Sequence, residues 1–158
     1  MDGVVLVASG MSYFRAYPGR QRAKVLPFTQ GIAGITALLG VWPGWGFGGR
    51  QARGIIRDWG HASRHGRFPR LGGLDADAAL RSVHTPVLAI TVDEDDYAPP
   101  GTVDHLLGKL GAAPVVREHY TAAQAGEPVD HFRWVRASAP LAARIAAFTK
   151  ELDATRHG

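Results

Sequence analysis

The sequence predicts an α/β fold built on parallel strands, and three observations carry that prediction. Two continuous apolar, β-branched runs, Val4-Val5-Leu6-Val7-Ala8 and Val87-Leu88-Ala89-Ile90-Thr91-Val92, have the character of strands buried on both faces inside a parallel sheet. A third run, Val115-Val116-Arg117-Glu118-His119-Tyr120, is more polar and fits a strand nearer a sheet edge. Between the second and third runs, Val103, Leu106, Leu107 and Leu110 recur at i, i+3, i+4 and i+7 and complete a strand-helix-strand unit.

Taken in order, the first strand stops at Ser9-Gly10. Residues 11–80 then change character: they hold three of the four tryptophans, many glycines and most of the arginines, with no strand pattern, and read as an insertion between the first two strands. Within it, residues 25–49 carry no charge and have the length of a bilayer span. Pro27, Thr29, Gln30, Gly31, Gly34 and Pro43 dilute its apolarity, so a buried or interface-seeking lid helix is the expectation. Residues 50–70 read as a second helix, with Ile55, Ile56 and Trp59 on its apolar side. The second strand follows Pro86 and ends at the acidic cluster Asp93-Glu94-Asp95-Asp96, and Gly111 stands where the next helix would be capped. After the third strand a Gly, Pro and acidic loop leads to a last helix opening near Ser138 and Pro140, with Leu141, Ile145, Phe148 and Leu152 on one stripe.

Composition narrows the classes. The 158 residues are 46% hydrophobic and 20% charged, the balance of one globular domain and not of a disordered, collagen-like or coiled-coil chain. With no cysteine, disulfides, thiolate metal sites and cysteine nucleophiles are impossible, which fits a cytoplasmic protein. The net charge of +4 is uneven: residues 1–80 hold ten Lys/Arg against four Asp/Glu, and residues 81–158 hold eight against ten. The arginines form no run of five or six, so no nucleic-acid partner is expected. His61 and His65 have the i, i+4 spacing of two metal ligands, but no Glu lies between them and Arg64 and Arg67 crowd them, so no metal or other cofactor is expected.

The acidic cluster sits at the carboxyl end of a buried parallel strand, where open α/β sheets place functional groups. His131 lies in the loop after the next strand and can meet that cluster at the same sheet edge. An Asp beside a His there suggests an orienting carboxylate and a general base; the alternative is acids that cap the following helix and an ordinary surface histidine.

The succession of apolar strand, Asp95-Asp96-Tyr97-Ala98-Pro99-Pro100, Val103-Asp104-His105-Leu106-Leu107, strand, then an acidic-Gly loop ending in His131-Phe132, resembles the C-terminal half of an α/β-hydrolase of the serine-hydrolase-like group. The opening VVLVASGMSYF resembles the strand after the nucleophile helix of that group, and the aromatic stretch through Trp59 and Arg64 resembles its cap. The resemblance implies a partial α/β-hydrolase domain over residues 1–158, with about three parallel strands, flanking helices and a helical cap at 11–80. It implies Asp95 as triad acid, with Asp96 as the alternate, and His131 as triad histidine in preference to His119. The reaction implied is hydrolysis of a small hydrophobic ester or amide by acyl transfer through serine.

The family nucleophile stands on a Gly-x-Ser-x-Gly elbow, and no such motif occurs in the chain. Ser9 follows a buried strand in the correct Ser, acid, His order, but Val7-Ala8-Ser9-Gly10-Met11 lacks both motif glycines. The preceding oxyanion loop is missing too, so the chain reads as a fragment of such an enzyme with little activity. A non-catalytic reading stands beside it: an interaction module that self-associates through the exposed edge of its first strand, or a domain that lies on a membrane surface through residues 25–49.

Overall fold

A computed structural model describes residues 3–157, with side chains through residue 155. In chain order these residues form β1 (Val4–Val7), α1 (Gln21–Leu39), β2 (Val41–Trp42), β3 (Gln51–Ala52), α2 (Arg53–His65), α3 (Ala76–Arg81), β4 (Val87–Val92), α4 (Pro100–Leu107), β5 (Val115–Tyr120), α5 (Ala122–Ala125) and α6 (Ala139–His157). Single 3₁₀ turns lie at Phe14–Ala16 and Arg133–Val135. The chain divides into two compact units, one running through Gly10 and resuming at Leu80, the other spanning Met11–Ala79.

The first unit is α/β. Its three strands are parallel, in the order β1-β4-β5, with Val4 opposite Val87 and Val87 opposite Val115. Because side chains alternate along a strand, β4 supplies two cores at once. Leu88, Ile90 and Val92 pack with Tyr120, Val129 and, from α6, Leu141 and Phe148. Val87 and Ala89 pack with Ala98 and, from α4, Val103 and Leu107. Burying each of the larger side chains is worth about 1.5–3 kcal/mol, so β4 is the strand on which the unit depends most.

Two expectations are corrected within this unit, and one glycine gains a role. The residues of β1 are half-buried, not buried on both faces, because β1 lies at an end of the sheet and has a neighbour on one side alone among the described residues. Helix α4 stops at Leu107, short of the predicted Leu110: the N–H groups of Lys109 and Leu110 bond the carbonyls of Leu106 and Leu107, and the tightened last turn closes the helix at Gly108 in place of Gly111. Gly10 has a packing role that sequence does not display. A Cβ there would lie 2.2 Å from Thr102 Oγ1, so glycine is what lets the end of β1 lie against the first turn of α4.

In the second unit α1 and α2 pack around Ile32, Trp42 and Ile56, with Phe47 and Trp59 stacked 5.3 Å apart beside them. Gly60 allows the close approach, since a Cβ there would lie 3.0 Å from that of Ala33. Buried Thr29 and Ser63 satisfy each other through a 2.9 Å hydroxyl pair. The segment expected to lack strands carries the short antiparallel pair β2–β3, joined by a loop in which Gly44, Gly46, Gly48 and Gly49 all take positive φ. The predicted 50–70 helix is shorter, since β3 occupies Gln51–Ala52 and Gly66, at φ 66°, ends α2 with its N–H on the Ala62 carbonyl. Among the described residues no helix is long and apolar enough to cross a membrane.

Candidate functional site

Strand β4 ends at Val92, and the four acidic residues that follow are sorted by backbone geometry. Glu94 takes a positive φ of 51°, uncommon for a residue with a Cβ, and turns the chain sharply. Asp93 and Asp95 on either side of it go to different partners.

Asp95 is the buried one, its side chain 1% exposed, whereas Asp96 is exposed. Its Oδ1 accepts the N–H groups of Tyr97 and Ala98 at 2.9 and 2.7 Å, and both carboxylate oxygens lie 3.0 Å from His131 Nδ1. A carboxylate only accepts, so Nδ1 is the nitrogen that carries a proton toward Asp95, and in the neutral ring the lone pair lies on Nε2. Among the described residues nothing hydrogen-bonds Nε2, and the ring is 27% exposed. Tyr97 and Phe132 flank it with ring centroids at 5.1 and 4.9 Å. These two aromatics are themselves exposed, so the histidine sits between apolar walls that face outward.

The histidine loop is anchored on both sides. Val129 is buried in the core shared with β4 and α6. Asp130 accepts the N–H groups of Phe132 and Arg133 at 2.8 and 2.9 Å, and these two bonds hold its carboxyl below the usual carboxylate range. The phenol of Tyr120, at the end of β5, donates to the Ala137 carbonyl and ties down the far end of the loop. The sheet therefore brings together Asp95 and His131, which are 36 residues apart, as the carboxyl ends of two adjacent parallel strands would.

A second carboxylate-imidazole pair lies close by. His119 Nε2 is 2.7 Å from Asp93 Oδ1, and its Nδ1 is 2.7 Å from the Thr91 hydroxyl directly across the ladder. The Ala122 N–H bonds Asp93 Oδ2 and, together with His119, holds the Asp93 carboxyl below its ordinary range. Sequence reasoning missed this pair, because the contact depends on the register that places Thr91 opposite His119. The available signal was a histidine one residue from the end of a predicted strand.

Ser9 is half-buried, and its hydroxyl donates to the Val7 carbonyl of its own strand at 2.9 Å. The rings of His61 and His65 lie 4.7 Å apart on α2, tilted by 40°, and among the described residues no group of three His, Cys, Asp or Glu side chains could hold a metal ion. Comparison with protein-family models and with curated proteins finds no match for the chain.

Proposed function

We propose that Asp95 and His131 are the acid and the histidine of a Ser-His-Asp acyl-transfer apparatus of α/β-hydrolase type, with the serine contributed by a Gly-x-Ser-x-Gly segment that these 158 residues do not contain. The observation that supports this reading best is the buried Asp95 on His131 Nδ1, with Nε2 free. In such an apparatus Nε2 takes the proton of the attacking hydroxyl and later returns it to the leaving group, while Asp95 holds the ring and stabilises the imidazolium. Tyr97 and Phe132 beside the ring favour an ester or amide with an apolar substituent next to the scissile carbonyl.

A fluorophosphonate probe and an activated p-nitrophenyl ester test this. The chain should not label stoichiometrically at any serine. It should hydrolyse the activated ester slowly, through water activated by Nε2, and His131→Ala should remove at least nine-tenths of that rate with the circular dichroism spectrum unchanged. Stoichiometric labelling of one serine would overturn the absence of a nucleophile, and a rate indifferent to His131→Ala would overturn the assignment of the base.

The free edge of β1 favours a second reading, an interaction module. The N–H groups of Val4 and Ala8 bond the carbonyls of Pro86 and Ile90, so by alternation those of Val5 and Val7 face away from the sheet toward the open side. A strand of another chain, including a second copy of this one, can pair there.

A further inference from the structure

The second unit holds a charge excess. Residues 11–79 carry ten Lys/Arg and three Asp/Glu, a balance of +7, while the rest of the chain balances to −3 from eight and eleven. Part of that excess lines a groove of about 410 Å³ between α1 and α2. Along its α2 side run Arg53, Arg57, His61, Arg64 and His65, spaced as one helix face. No carboxylate lines the groove. Arg57 is bonded to its neighbour Asp58 at 2.9 Å, but Arg53 and Arg64 have no partner among the described residues.

Two features set this row apart from a merely solvated face. First, it works against the helix that carries it. Like charges stand at i and i+4, and Arg53 lies at the positive end of the α2 dipole in a first turn with no acidic residue. A bound anion would relieve both. Second, the row borders a hollow and not a convex surface. The opposite wall and floor are uncharged, with Gln30, Ala33 and Ala37 from α1 and Gly54 and Gly60 from α2, so the guanidinium groups border a recess.

We propose that this groove binds a small ligand bearing two or more phosphate groups. Arginine offers planar paired donors that match phosphate oxygens and stay charged at any physiological pH. From Arg53 to Arg64 the row runs about 16 Å along the helix, longer than one phosphate spans. The volume lies in the range of small-molecule pockets, which argues for a compact oligophosphate and against a macromolecular polyanion. The site lies within the second unit and stands independently of Asp95 and His131.

Inorganic triphosphate, titrated calorimetrically into the full chain at about 0.1 M salt, where exposed charges are screened beyond ~10 Å, tests the site. Binding should saturate at one per chain, and the imidazole resonances of His61 and His65 should move with the same isotherm. Arg53→Gln/Arg64→Gln should weaken it at least tenfold. Arg20→Gln/Lys24→Gln, which removes the same charge from the start of α1, should leave it within twofold. Equal weakening by the two pairs, unsaturable binding, or still histidine resonances would overturn the proposal. So would binding of phosphatidic-acid vesicles that saturating triphosphate fails to displace, because the row would then serve a bilayer.

Discussion

Asp95 receives three N–H donors while buried, so its shape and its charge are both in use. Asp95→Asn keeps the shape, but its amide cannot accept from His131 and both backbone groups at once. The expected result is a loss of about 1–3 kcal/mol in urea unfolding, the cost of leaving a buried polar group unsatisfied. His131 should also lose its single protonated-Nδ1 form, which its ¹⁵N shifts would report. Asp93 and Asp130 make a prediction about pH. Both carboxyls titrate below their ordinary value in the folded chain, so the stability they contribute is complete above the unfolded value of about 3.9 and lost as pH falls through the folded one. Asp93→Asn and Asp130→Asn should therefore each be less stable than the parent at pH 7, and the gap should close as urea unfolding is repeated at progressively lower pH. An undiminished gap at the lowest pH would show that the charge is not what matters. At this scale the sequence was informative where chemistry follows chain order. The carboxyl end of an apolar strand pointed to the acids, and the loop after the next strand pointed to His131. The preference for Asp95 over Asp96 came from the resemblance alone, and the burial of Asp95 beside an exposed Asp96 was not legible in the sequence, because it follows from the backbone around the turn at Glu94.

Among elements, β1 carries the sharpest consequence. Its inward N–H groups are committed to β4, and Val5 stands at an outward position. Val5→Pro removes a donor the ladder does not use while blocking the open edge. If the chain associates through that edge, sedimentation should show the parent self-associating with concentration and Val5→Pro remaining monomeric with unchanged circular dichroism. A parent that stays monomeric across the range would end the case for self-pairing. The three strands were legible as β-branched runs, two of them continuously apolar, and the α4 and α6 stripes as periodic apolar patterns facing a core. The ends of α4 and α2 and the β2–β3 pair were not. A two-residue ladder has no period to detect, and a helix end depends on which carbonyl the next N–H finds.

Across the whole molecule, each unit has its own apolar cluster, with Leu88 fully buried in one and Ile56 almost so in the other. Leu88→Ala and Ile56→Ala should each cost about 2–5 kcal/mol. Hydrogen exchange should show the loss in different places: the amides of β4 and β5 in the first variant, those of α1 and α2 in the second. A uniform loss of protection in both would mean that the two cores are energetically one. The same protein also presents two of its seven histidines to carboxylates through opposite ring nitrogens, the two carboxylates standing on either side of the turn at Glu94. Asp93 claims Nε2 of His119, and Asp95 claims Nδ1 of His131. A long-range nitrogen spectrum recorded where the imidazoles are neutral should therefore show one ring protonated at Nε2 and the other at Nδ1.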